Sequence, residues 1–366
     1  MKLTKIGTAF ALVTASALAL SACAANEQPA APGGSSSASG LSGVLTGKGA
    51  SSMNVAQTHW VAGFQKAHGG VTVNYSPDGS GPGRDAFKAG AANFAGSDRA
   101  LKDSEMGVGK FAGCSTDSNA LNLPVYISPI AVIFNIAGVS ELNLDADTVA
   151  RIFTGEIKNW NAPQIAALNP GVTLPDLPIT AVHRSEGSGT TGNFTDYLAQ
   201  NAPEVWTEAS SDEWPASIAG EAAKGTSGVV DTVKKGNGMI GYADASQARE
   251  VGMAKIKVGN EFFGPTADAA AKLVDNAQRL EGRSEHDWAL KLDRKAEGQY
   301  PIALISYVIV CETYADAQVA KLVKEYVGFI GSADGQALAA APTAAGSAPL
   351  SADMVTKVQA AVASIK

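Results

Sequence analysis

Histidine and cysteine are scarce in this chain. Its 366 residues include four histidines and three cysteines. His59, His68, His183 and His286 stand apart, with no H-E-x-x-H spacing that would hold a metal on one helix face. A basic tract is also missing. The formal net charge is −7, which argues against a nucleic-acid partner but not against a small anion, since local donors hold such a ligand. No repeat of solenoid length occurs. Apolar residues make up 45% and charged residues 17%, a globular balance for a chain long enough for two cores.

The one apolar run near the N-terminus is too short for a comfortable membrane span. Lys2 and Lys5 precede an apolar stretch from Ile6 to Leu20, and Leu20-Ser21-Ala22-Cys23 closes it. This is the layout of an export signal. The closing tetrapeptide resembles the bacterial lipobox, which implies a lipoprotein signal segment at residues 1–23, with Cys23 lipidated and left as the mature first residue, and anchoring outside the cytoplasm on the cell membrane. Residues 24–43 include AAPGGSSSASG, a composition that cannot bury a core and reads as a flexible tether. Two cysteines then remain, Cys114 and Cys311, and export invites a disulfide between them, with two separate buried thiols as the alternative.

Beyond the tether, strand-like runs alternate with helical ones, which predicts an α/β class with mainly parallel sheets. VLTGKGAS reads as a strand entering a Gly-rich turn. Asn54 to His68 has helical spacing, with Val55, Trp60, Val61 and Phe64 on the expected buried face. Two long apolar strands, at 123–136 and 300–311, bracket the middle of the chain. They predict a discontinuous first lobe (44–125 and 305–366), a second lobe (126–304) and a hinge with a cleft between them.

Four turns share a Gly/Ser/Thr character. They are Gly47 to Ser52, Asp78 to Gly83, Ala95 to Asp98, and Arg184 to Thr190. Glycine permits close backbone approach, and a helix start offers free N–H groups and a positive dipole end. Hydroxyls and the Arg fork add donors. Four such turns in one chain point to an anion site. The fourth turn lacks the Lys of a phosphate-binding P-loop and does not fit G-x-S-x-G, so nucleotide hydrolysis and serine-nucleophile chemistry are disfavoured. Trp160, Trp206, Trp214 and Trp288 read as core or covering residues.

The ordered segments NYSPDGSGPGRDAF, NFAGSDRAL, IFTGEIKNWNAPQIAALNPG, HRSEGSGTTGNFTDYL and GMIGYADAS resemble the phosphate-binding proteins of high-affinity phosphate ABC transporters, over about residues 44–366. The block with Lys158, Trp160 and Asn169-Pro170-Gly171 is the most diagnostic, because no generic anion site requires it. The resemblance implies a two-lobed periplasmic-binding-protein fold and a solute-binding role without catalysis, cofactor or metal. It also implies inorganic phosphate as ligand and the permease subunits of an importer as partner. Carried over by position, Ser51, Ser52, Ser80, Arg184, Ser188, Gly189 and Thr190 are the donors, and Asp98 is the carboxylate. Two departures stand out. Ser51-Ser52 replaces Thr-Phe, and Glu186 stands where Asp is common.

Asp98 gives the expected selectivity. Phosphate at neutral pH keeps a proton to donate and sulfate has none, so an acceptor carboxylate welcomes one and repels the other. Arg184 is expected to neutralise the ligand and also to hold Asp98. A secreted phosphatase is the alternative, but no base or metal cluster accompanies the hydroxyls. A sulfate- or molybdate-binding site is another, and Asp98 argues against it.

Overall fold

Short β-branched strands feeding Gly-rich turns set up the frame. The computed structural model describes residues 40–366 except Ala296; the leader, Cys23 and most of the tether lie outside the described residues. The chain runs β1 (Gly43–Gly49), α1 (Asn54–Ala67), β2 (Val71–Ser76), α2 (Ser80–Lys88), β3 (Phe94–Ser97) and β4 (Ala120–Asn135). It continues through β5 (Asn143–Leu144), α3 (Ala146–Phe153), α4 (Pro163–Leu168), β6 (Thr180–Arg184), α5 (Gly189–Asn201), β7 (Glu221–Ala223), α6 (Gly225–Lys235) and β8 (Met239–Asp244). Next come β9 (Gly252–Met253), β10 (Lys255–Val258), β11 (Glu261–Phe263), α7 (Ala267–Asp275), β12 (Gln278–Arg279) and β13 (Leu290–Lys291). The chain closes with β14 (Ala303–Cys311), α8 (Ala317–Ile330), α9 (Ala333–Ala340) and α10 (Ala352–Ser364).

Among the described residues the main sheet has the order β2-β1-β3-β14-β4-β8-β6-β7, with β9 beside β4. β1 lies parallel to β2 and β3, and β6 parallel to β7 and β8. These two parallel halves are the lobes of an α/β fold. The long strands join them. β4 pairs with β14 through Ala120–Pro129 and with β8 through Ile130–Asn135, antiparallel in both cases. The sheet is therefore mixed, which corrects the mainly parallel expectation. A strand that leaves one half and a strand that returns to it must run in opposite directions. Every residue of β14, and all of β4 but Asn135, is buried, which accounts for their largely apolar sequence.

Two further expectations change. Leu41 is buried and the Gly43 N–H donates to Gly70 O, so the packed body begins before the proposed tether ends. On α1 the buried stripe is Ala56, Gln57, Trp60 and Phe64, whereas Val55 and Val61 are half-buried. The stripe is turned so that Gln57 Oε1 can accept from Tyr326 Oη (2.6 Å).

Candidate functional site

In each half the parallel strands end at the same edge, where the following helices begin, the usual place for a ligand in open α/β sheets. Ser51 and Ser52 lie between β1 and α1, Ser80 opens α2, and Asp98 follows β3. From the other half, Arg184 ends β6, Ser188 caps α5, and Gly189 and Thr190 form its first turn. The structure brings all of these together, along with Glu186.

Asp98 is the centre. It is 3% exposed, and its Oδ1 accepts from Ser52 Oγ (2.6 Å) and Ser306 Oγ (2.8 Å). Its Oδ2 accepts from Thr190 Oγ1 (2.9 Å), and its N–H donates to Ser80 Oγ (3.1 Å). Burial pushes the Asp98 carboxyl above its usual range, against the pull of Ser52, Ser306, Thr190 and the nearby Arg184 charge. The approach of α5 demands glycine at 189. A β-carbon there would lie 2.7 Å from both Asp98 Cβ and Ser80 Oγ. Gly79, just before α2, has φ 110°, a conformation that L side chains rarely adopt.

Arg184 is 2% exposed. Its Nε donates to Glu186 Oε1 (2.8 Å), and Nη2 contacts the same oxygen and donates to Ser51 Oγ (2.9 Å). It reaches Asp98 only through Thr190, by Nη1 to Thr190 Oγ1 at 3.5 Å. The expectation that Arg184 holds Asp98 directly is thus corrected: Glu186, two residues on, reaches the guanidinium first. Glu186 also accepts from the Gly225 N–H (3.2 Å). Ser188 accepts from the Thr191 N–H (3.3 Å), so its oxygen caps α5 and its hydroxyl proton stays free to donate.

Residues that the sequence reading passed over also belong here. Thr226, in the first turn of α6, meets Ser51 Oγ through its hydroxyl and its N–H, both at 3.0 Å. Gln247 Nε2 donates to Ser51 O (2.8 Å) and Ser52 O (3.1 Å) and fixes that turn. Asp212 accepts from Arg84 Nη2 (2.5 Å) and Arg99 Nε (2.7 Å), while its carbonyl accepts the Ser188 N–H (2.9 Å). Lys-Gly-Thr-Ser-Gly at 224–228 was a fifth turn of the same composition and could have revealed Thr226. Gln247 and Asp212 carry no local signal. His183 is structural, stacked on Trp214 at 4.9 Å, and Trp160 and Trp206 are buried core.

Asp244, at the end of β8 beside the β4 crossing, is fully buried. It accepts from Tyr126 Oη (3.1 Å) and the Ser246 N–H (2.9 Å). Burial, with a contribution from Asp98, pushes its carboxyl up to about 6, despite hydrogen bonds from Ser246 and Ser128. A folded pKa above the unfolded value means that the native state holds the proton more tightly. This group therefore favours folding below about pH 4 and loses that favour as pH rises to about 6, a loss of roughly 3 kcal/mol. Asp244→Asn is expected to raise the melting temperature over wild type at pH 8 but not at pH 4. Equal differences at both pH values, read by calorimetry, would contradict this.

Comparison with known proteins agrees with the geometry. Residues 27–334 match the model of the PBP superfamily domain, and the chain belongs to that superfamily. It is a binding protein and not an enzyme. Within it, the chain is 36% identical over 339 residues to phosphate-binding protein PstS 3 of Mycobacterium leprae, spanning 89% of this chain and 90% of that one. It belongs to the PstS family of phosphate-binding proteins.

Solved structures share the fold. One is a high-affinity periplasmic phosphate-binding protein (PfluDING) bound with phosphate, with TM-score 0.69, 20% identity, and coverage of 87% of this chain and 93% of that one. Another is a putative phosphate ABC transporter substrate-binding protein from Clostridium perfringens with bound phosphate, with TM-score 0.59, 19% identity, and coverage of 84% and 100%.

Proposed function

We propose that this protein captures inorganic phosphate outside the cytoplasm and delivers it to the permease of an ABC importer. The observation that carries the reading is the convergence of one buried guanidinium, several hydroxyls, helix-start N–H groups and one acceptor carboxylate at a single point between the two halves. That set matches a tetrahedral oxyanion that still bears a proton. In this reading Arg184 neutralises the ligand, Ser51, Ser80, Ser188 and Thr190 donate hydroxyls, the N–H groups at Ser52, Gly189 and Thr190 complete the cradle, and Asp98 accepts the ligand's proton. Glu186 orients Arg184. The lobes are residues 41–125 with 305–366, and 126–304, hinged where β4 and β14 cross; closure buries the ion and presents the closed form to the permease. Lipidation at Cys23 holds the protein at the membrane.

Calorimetric titration with phosphate, arsenate and sulfate tests the reading. Phosphate and arsenate should bind and sulfate should not; heat with none of them, or with sulfate alone, would sink it. Arg184→Lys then tests the charge partner. Lysine keeps the charge and one contact to Glu186 but loses the planar fork. Phosphate affinity should fall by about 1.5–3 kcal/mol, with the melting temperature before phosphate addition nearly unchanged. If Arg184 serves only Glu186, melting will fall instead and affinity in the folded fraction will hold.

A further inference from the structure

We infer that Ser306 is a specificity-determining positioning residue, whose hydroxyl holds Asp98 from the sheet as a hydrogen-bond acceptor for the bound anion. The inference rests on the phosphate-binding reading above. Ser306 stands in the middle of β14, ALISYVIVC, where all nine residues are buried, and is itself 0% exposed. A hydroxyl in such a place is costly unless bonded. Its bond is to Asp98 Oδ1, at 2.8 Å.

The sheet is irregular at this residue. Ser306 pairs with Tyr126 and Tyr307 with Pro124, which leaves Val125 of β4 unpaired. This is a β-bulge, a device that re-aims side chains next to sites. Gln336 of α9 secures it, donating from Nε2 to Val125 O and to Ile330 O, both at 2.8 Å. The distortion and its support thus fall on the strand position that holds Asp98.

The three hydroxyls on Asp98 differ in what else they can do. Ser52 sits beside Ser51 in the β1–α1 turn, and Thr190 lies in the first turn of α5 within reach of Arg184. In the reading above the anion takes the Thr190 hydroxyl, so that bond to Asp98 gives way. Ser306 is fixed on the sheet, so its bond to Asp98 persists. Without it a buried carboxylate would keep less to stabilise its charge. The charged groups around it offer little substitute. Arg184 is shared with Glu186, Arg99 with Asp212 and Glu105, and Arg294, across a cavity of about 210 Å³, with Asp196. Asp244 on β8 is a second buried carboxylate, and its charge and that of Asp98 oppose each other. A protonated Asp98 becomes a donor, which sulfate can accept. Loss of Ser306 should therefore erode sulfate rejection from the acid side.

The test uses a shape-matched pair in the full chain, Ser306→Val and Ser306→Thr, with Ser306→Ala in case valine prevents folding. Phosphate binding and its competition by sulfate are titrated from pH 5 to 8.5, with melting recorded at each pH. In Ser306→Val or Ser306→Ala the pH below which sulfate competes should move up by about one to two pH units. Phosphate affinity at pH 8 should fall by no more than about tenfold. Ser306→Thr should keep the wild-type profile. A merely structural serine would lower melting without moving the sulfate profile, and that result overturns the inference. Wild-type protein that binds no phosphate would instead overturn the functional reading beneath it; selective wild type with unmoved variants overturns this inference alone.

Discussion

Asp98→Asn should turn a phosphate-selective site into one that sulfate can enter. The carboxylate sits at the meeting point of both halves, buried, and surrounded by hydroxyl donors from Ser52, Thr190 and Ser306. An ionised acceptor there repels an anion that has no proton to offer. Sites built on such a bond reject analogues lacking it by roughly 10⁴-fold or more. Asparagine has nearly the same shape, and the surrounding hydroxyls can rotate to accept from its amide. The phosphate-over-sulfate ratio should therefore fall by about 10³-fold or more, with phosphate affinity itself falling much less. Competition titration at pH 8 reads both quantities. A variant that still ignores millimolar-scale sulfate would show that rejection comes from somewhere other than this carboxylate.

Removing the Cys114–Cys311 disulfide should have the largest effect on stability. The bond ties the segment before β4 to the end of β14 across a sequence separation of 197 residues. Closing so long a loop restricts the unfolded chain, and the entropy model assigns it roughly 5 kcal/mol. Whole domains are stable by only about 5–15 kcal/mol. The Cys114→Ser, Cys311→Ser double variant is expected to lose roughly that 5 kcal/mol in denaturant titration, with the midpoint shifted and the slope little changed. Cys311 lies five residues along β14 from Ser306, about 17 Å away, so phosphate affinity in the folded fraction should stay close to wild type. Two reactive thiols in unfolded, unreduced wild type, or a double variant as stable as wild type, would refute the prediction.

Most of the frame was legible because it depends on local pattern. The strand over 43–49, the helix from Asn54, the long apolar strands and the Gly-rich turns all follow from periodicity and from residues that break it. The two-residue strands β5, β9, β12 and β13 were not legible, since two residues carry no period. The direction of β4 and β14 was not legible either. An apolar run looks the same read either way, and only the passage of the chain between halves makes the pair antiparallel.

The site divides along the same line. Its anion chemistry was set by the sequence: Ser and Thr at helix starts, one Arg, one Asp, and glycines where a β-carbon would collide, as at Gly189 against Asp98. These are properties of residue types in short windows. Which groups serve one another was decided by tertiary structure. Arg184 turned to Glu186 and not to Asp98, Thr226 met Ser51 across 175 residues, and a serine inside an apolar strand reached Asp98 across 208. Hydrogen bonds act over about 3 Å, whatever the distance along the chain, so only folding determines which donor arrives first.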